Sequence, residues 1–175
     1  MPKRPRELIS AAALAARVAA LAREIDQTLP PGPLTVVGVL RGAFIFMADL
    51  VRAIPREMTC DFLGVRSYGD ATVSSGVVEI TSDLAAPIAG RHVLLVEDIA
   101  DTGLTLRYLL ELLAARGPAS LHTCVLLSKK ATGPVVAPPL RIDFVGFEAP
   151  DAFVVGYGLD AAQIHRNLPY IGVVD

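Results

Sequence analysis

The chain has 175 residues, 53% of them hydrophobic and 19% charged, with a formal net charge of −2 at pH 7. That length and apolar share suit one domain with a sizeable core, and no Pro/Gly/Ser-rich linker divides it. The near-neutral total excludes an overall basic footprint for nucleic acid, so a polyanionic ligand has to be met by locally placed Arg and Lys.

Lys3, Arg4 and Arg6 precede an alanine-rich stretch, but Glu7, Arg17, Arg23 and Glu24 leave no adequate apolar region for a signal peptide. Leu14, Val18, Leu21 and Ile25 recur at helical spacing instead, which predicts an amphipathic helix over 7–27 ended by Pro30-Pro31-Gly32-Pro33. A buried strand is predicted over 35–40 and a helix over 43–54, stopped by Pro55. A second strand follows over 60–67, then a small, polar segment over 68–76 and a returning strand over 77–81. The central strand spans 91–97 and the next helix 104–116, with Gly117-Pro118 as its stop signal. Another strand covers 121–127, and short apolar pieces at 144–147, 153–155 and 171–174 complete the pattern. Strands alternating with helices predict an α/β fold: a central, mainly parallel sheet flanked by helices, with the late short strands forming a small hood. Cys60 and Cys124 both lie in apolar, strand-like runs and read as reduced core residues of a cytoplasmic protein. No run reaches the length of a membrane span. The mean hydropathy of +0.50 is high for a domain of this size and predicts a homo-oligomer that buries apolar surface between subunits.

The segment from Val93 to Thr105 carries most of the chemistry. The apolar run Val93-Leu94-Leu95-Val96 reads as a strand buried on both faces, and it ends in two carboxylates, Glu97 and Asp98. Asp101 follows, then Thr102, Gly103, Leu104 and Thr105 at the start of a helix. Ligands of open α/β sheets bind beyond the carboxyl ends of the strands. The helix start offers backbone N–H groups, Gly103 permits close approach, and the two threonines add hydroxyls, which together make a phosphate cradle. Three carboxylates beside such a cradle need other tasks. Glu97 and Asp98 suit ribose hydroxyls or a hard cation such as Mg²⁺, and Asp101 stands where a general base would serve. Helix capping by Asp98 and Asp101 would explain one carboxylate well and three poorly.

On these residues the segment resembles the phosphoribosyl-pyrophosphate (PRPP) signature of the type I phosphoribosyltransferases. The stretch from Asp143 to Asp160, with Phe153-Val154-Val155-Gly156-Tyr157-Gly158-Leu159-Asp160, is similar to the purine-binding stretch of the hypoxanthine-guanine phosphoribosyltransferases. Arg166-Asn167-Leu168-Pro169-Tyr170-Ile171-Gly172 is similar to the end of their chains. The resemblance implies a PRPP-binding core over 34–130, with about 1–30 and 131–175 contributing hood and purine-binding segments. It implies a purine-salvage enzyme that uses Mg²⁺ to transfer phosphoribosyl from PRPP to N9 of hypoxanthine or guanine. By the same resemblance Glu97, Asp98 and the loop from Asp101 to Thr105 bind the ribose phosphate. Leu40-Arg41-Gly42 is the pyrophosphate loop, often with a non-proline cis peptide, and Arg166 joins it. Ile99, Lys129, Phe153, Val154 and Asp160 serve the purine, with Lys129 donating to its exocyclic oxygen. Glu97, Asp98 and Asp160 are the implied metal ligands, and Ser67-Tyr68 opens a mobile loop.

Taken alone, Arg41, Lys129, Lys130 and Arg166 read as solvated cations, and Phe153 and Val154 as core and strand. Some positions depart from the family pattern. Arg41 stands where many relatives have lysine, Ala100 is small, Ala161 replaces a common aromatic, and 131–133 lacks an arginine some relatives carry. Two alternatives remain at this level. One is a phosphoribosyltransferase for another base, xanthine or a pyrimidine. The other is a regulatory RNA-binding protein reusing the fold, which needs a basic surface and salt-dependent binding.

Overall fold

The computed structural model describes residues 4–68, 77–129 and 140–174. A short strand, β1 (Arg6–Ile9), leads into helix α1 (Ala11–Thr28). The helix expected over 7–27 thus begins later. Ser10 is its N-cap, with Oγ accepting from the Ala13 N–H at 3.2 Å, and this bond satisfies one of the donors that a helix start leaves unpaired. The predicted stripe of Leu14, Val18, Leu21 and Ile25 is buried.

Next come β2 (Leu34–Leu40), α2 (Phe44–Ala53), β3 (Met58–Tyr68), β4 (Val77–Ser82), β5 (His92–Ala100), α3 (Leu104–Ala114), β6 (Ser120–Lys129) and β7 (Phe144–Ala149). They form one six-stranded sheet in the order β4-β3-β2-β5-β6-β7, parallel except for the β3–β4 pair. Strands β8 (Val154–Val155) and β9 (Ile171–Val173) join β1 in a separate antiparallel sheet, the hood.

The period of two in the central strands decides what covers each face. Val36, Leu94 and Val96 pack with α1 and α2, whereas Val37, Val39, Val93 and Leu95 pack with Leu106, Leu109 and Leu113 of α3. The central strands are buried on both sides and carry continuous apolar runs for that reason. Arg17 on α1 clasps the sheet edge by donating to the carbonyls of Val145 and Gly146 at 2.7 and 2.9 Å.

The crossover through α2 runs from β2 to β3, and that through α3 runs from β5 to β6 on the opposite face. The strand order therefore reverses between β2 and β5, the position at which open α/β sheets bind ligands. The β2–β5 ladder stops at Gly38↔Val96, while β5 continues along β6 to Ala100↔Ser128. The two strands splay beyond that point and leave a gap.

The central strand does not end at Glu97 but runs through both carboxylates to Ala100, because β6 still pairs with it. Lys129 is the last residue of β6 rather than part of a following turn, and Ser67 and Tyr68 are paired with Val78 and Val77 inside the β3–β4 ladder. The rest of the predicted mobile loop, 69–76, lies outside the described residues, as do Lys130 and 131–133. Cys124 is buried as expected, but Cys60 is exposed, since β3 has a face that no helix covers at that position. Among the described residues, no helix is long and apolar enough to cross a membrane.

Candidate active site

The gap between β2 and β5 brings Leu40-Arg41-Gly42 against Glu97-Asp98. The Leu40–Arg41 peptide is cis, as the resemblance implied. A side chain on Gly42 would overlap the Asp98 carboxylate, so the chain needs glycine there for this approach. Leu94 and Val96 of β5 face α1 and α2, and Asp98 lies against Gly42 in the turn that leads into α2.

Both carboxylates are desolvated. Glu97 is 6% exposed, and its Oε2 has no hydrogen-bond partner among the described residues. Burial pushes its carboxyl up to about 8, with Asp98 adding repulsion. Burial likewise lifts Asp98 to about 6, against the Ile99 N–H that bonds it at 2.9 Å and the Arg166 charge. Raised carboxyl values mean that the folded state binds these protons more tightly than the unfolded chain. Stability is therefore full below the ordinary glutamate value of 4.5 and lost as pH rises through about 8. Glu97→Gln removes the charge that costs stability. In thermal unfolding without ligand, we predict near-equal midpoints at about pH 5 and a variant several degrees more stable at about pH 8.5. In a domain this size about 1 kcal/mol moves the midpoint by roughly 2–4 °C. The same difference at both pH values would contradict the buried-charge account.

β5 hands over to the loop from Asp101 to Thr105. Gly103 is the N-cap of α3 with φ 77°, a left-handed conformation that glycine adopts without a Cβ penalty, and no carboxylate among the described residues holds the N-cap position. Capping by Asp98 or Asp101 is thereby excluded. Thr102 Oγ1 accepts from Leu104 N–H at 3.4 Å, and Asp101, Thr102 and Leu104 are exposed at the helix start, with Thr105 half-buried beside them. An anion can meet backbone donors and hydroxyls here. Lys129 reaches over from the end of β6 and places Nζ 3.5 Å from Asp101 Oδ2. Its side chain is 16% exposed against 64% for Asp101, so the lysine is held and the carboxylate is open.

The third wall comes from the segment after β8. Gly156 and Leu159 exchange both backbone hydrogen bonds, as do Ala161 and Ile164, which makes two tight turns in succession. A Cβ on Gly158 would overlap the Gly42 carbonyl, so this segment lies directly on the Leu40-Arg41-Gly42 turn. Arg166 donates to the Gly158 carbonyl at 2.7 Å and pairs with Asp160 at 2.6 Å. Arg41, Arg66 and Arg166 line a cavity of about 510 Å³ together with Leu40, Thr81 and Gln163. Phe153 presents an aromatic ring 60% exposed, whereas Val154 is buried in the core and Ile99 is half-buried against it.

The structure thus gathers Arg41, Gly42, Asp98, Asp160 and Arg166 in one cluster, and Asp101 and Lys129 in another beside the α3 start. Arg66 and Gln163 were not singled out from the sequence. A strand arginine and an exposed glutamine carry no signal in residue type, and only the tertiary turn geometry brings them in. Among the described residues, no three His, Cys, Asp or Glu side chains form a metal cage. Asp160 already engages Arg166 and the Gln163 N–H, the latter at 2.7 Å. Such an arrangement fits Mg²⁺ held by one or two carboxylates, waters and substrate oxygens, the usual coordination of that ion. Asp98, desolvated and repelled by Asp160, suits the task best.

Residues 6–162 match the family model for the phosphoribosyl transferase domain. A hypoxanthine-guanine phosphoribosyltransferase of Bacillus subtilis is 49% identical over 156 residues, 89% of this chain and 83% of that protein. A hypoxanthine phosphoribosyltransferase of Haemophilus influenzae is 48% identical over 170 residues, 95% of this chain and 93% of that one. Among solved structures, a hypoxanthine-guanine phosphoribosyltransferase from Bacillus anthracis, with a HEPES molecule in its active site, superposes with a TM-score of 0.90. It is 39% identical and covers 100% of both chains.

Proposed function

The chain belongs to the phosphoribosyl transferase domain family, and we propose that it transfers phosphoribosyl from PRPP to N9 of hypoxanthine or guanine in purine salvage. The products are pyrophosphate and IMP or GMP. The observation that carries this reading is the position of the two anion-binding clusters. The α3 start and the Arg41/Arg166 group flank one gap at the strand-order reversal, as a ribose with phosphate at one end and pyrophosphate at the other requires.

In this account the loop from Asp101 to Thr105 takes the 5′-phosphate through Thr102 and Thr105 hydroxyls and the backbone of Gly103 and Leu104. Glu97 and Asp98 accept from ribose hydroxyls, which supply the donor that Glu97 Oε2 lacks. Arg41, the Gly42 backbone and Arg166 hold the pyrophosphate. As its bond to C1′ breaks, the electron pair leaves with pyrophosphate, positive charge builds on the ribose, and N9 of the purine closes on C1′. The guanidinium groups stabilise the departing charge, so catalysis is mainly positioning and electrostatics. When bound, Mg²⁺ supplies further positive charge against the pyrophosphate, and Asp98 and Asp160 are the carboxylates that would hold it. The purine stacks on Phe153, packs against Ile99 and is read at its edge by the Val154 backbone. Lys129 donates to its exocyclic oxygen. In doing so it leaves Asp101, whose freed carboxylate takes the proton from the purine ring nitrogen.

Incubation with PRPP, Mg²⁺ and hypoxanthine should yield IMP and pyrophosphate in equal amounts. Pyrophosphate without IMP would reduce the activity to PRPP hydrolysis, and no turnover of any 6-oxopurine would overturn the reading. We also infer self-association, which Phe44 at 43% exposure and Tyr108 at 38% support as surface for a second copy. Sedimentation at micromolar concentration should show a species larger than the monomer, and monomer alone would remove this inference.

A further inference from the structure

Two guanidinium groups of the candidate pyrophosphate site converge on one neutral side chain. Gln163 Oε1 accepts from Arg41 Nη1 at 3.2 Å and from Arg166 Nη2 at 3.3 Å. Both partners are obligate donors, so the atom facing them has to be the amide oxygen. Arg41 arrives from the turn after β2, and Arg166 lies 125 positions further along the chain, so Gln163 joins two distant segments across the cavity.

The backbone conformation here is costly. Ala162 has φ 50° and Gln163 φ 69°, both left-handed without being glycine. Two left-handed central residues define the type I′ turn, which normally takes Asn-Gly. The left-handed region is disfavoured for any residue with a Cβ. The Asp160 carboxylate offsets part of that by accepting from Gln163 N–H at 2.7 Å. Such outliers persist where the surroundings enforce them, and here the turn aims the Gln163 side chain at the two arginines. Asp160 already compensates Arg166 through its 2.6 Å ion pair. A second carboxylate at 163 would cancel the remaining positive charge of the pair. An amide oxygen aligns both guanidinium groups and leaves that charge for the ligand.

We propose that Gln163 is a positioning residue for the pyrophosphate end of the substrate: a neutral clasp that holds Arg41 and Arg166 side by side without neutralising them. This rests on the reading of the site as a phosphoribosyltransferase centre. Its consequences fall on PRPP and pyrophosphate and not on the purine.

The test uses the full chain with Gln163→Glu, which keeps shape and adds charge, and Gln163→Met, which keeps size and removes the acceptor. Calorimetric titration with inorganic pyrophosphate and Mg²⁺ reads binding without turnover. For Gln163→Glu we expect pyrophosphate affinity to fall and the PRPP KM to rise by on the order of tenfold. The hypoxanthine KM and the thermal midpoint should stay near wild type, and kcat should change less than threefold. Gln163→Met should weaken pyrophosphate in the same direction but less, because charge is retained and only alignment is lost. Pyrophosphate affinity within twofold of wild type in Gln163→Glu, or equal losses in the PRPP and hypoxanthine KM, would overturn the proposal. A wild-type protein that binds pyrophosphate but turns over no base would instead overturn the functional reading, and the binding comparison would still decide the role of Gln163.

Discussion

Replacing Asp101 with Asn is expected to lower turnover by roughly 10²–10⁴-fold, the usual contribution of a positioned general base. The substitution keeps the shape and removes the proton acceptor. Asp101 is open to the gap, yet it sits 3.5 Å from a largely buried lysine, Lys129. Losing the Lys129 pair is a secondary effect, since a pair with one partner this exposed contributes little. PRPP affinity should change far less than turnover, because the cradle's donors come from the α3 start and from Thr102 and Thr105. An Asn variant with near-normal turnover would reject the assignment. A variant with normal kcat and weakened PRPP would move Asp101 from proton transfer to phosphate positioning.

The second large effect is expected at Lys129, and it concerns which base reacts. An ammonium carries donors alone, so it suits the exocyclic oxygen of hypoxanthine or guanine and mismatches the amino group of adenine. The side chain is held at the end of β6 with 16% exposure, so a wrong base leaves it poorly solvated and unpaired. That is how a hydrogen-bonding site rejects an analogue strongly. Lys129→Gln should cost roughly 10–100-fold on hypoxanthine, in line with a lost hydrogen bond to a charged group. It should also narrow the gap to adenine, because an amide can accept as well as donate. Lys130→Gln is the control. Loss on hypoxanthine at Lys130 with Lys129→Gln unaffected would place recognition one residue later, and no effect at either would take base recognition away from these two lysines.

Much of the architecture was legible because the core elements obey simple periods. The runs in β2, β5 and β6 are apolar without interruption because helices cover both sheet faces, and the α1 stripe repeats at helical spacing because one face packs on the sheet. Boundaries were less legible where a distant partner sets them. β1 read as helix because its residues pair with β9, more than 160 positions away, and nothing local reports that pairing. Glu97 and Asp98 read as the end of a strand, since two adjacent carboxylates are improbable inside one, but the β6 ladder carries them on to Ala100.

The candidate site divides in the same way. The strand-to-helix turn from Asp101 to Thr105, with glycine at the left-handed N-cap, was legible because a helix start is written in local sequence. The joining of Arg41 to Arg166 through Gln163 was not, because it depends on two left-handed residues and on Gly158 lying against Gly42. Cys60 was misread for a related reason. An apolar neighbourhood in sequence does not tell which face of an outer strand is covered.

The central claim is a phosphoribosyl transfer selective for 6-oxopurines, and one turnover panel tests it most directly. With PRPP and Mg²⁺ fixed, nucleotide formation is measured for hypoxanthine, guanine, xanthine, adenine and uracil. The account predicts IMP from hypoxanthine or GMP from guanine at rates well above those for adenine and uracil. Faster turnover of adenine or uracil than of either 6-oxopurine, or no nucleotide from any base, would contradict it.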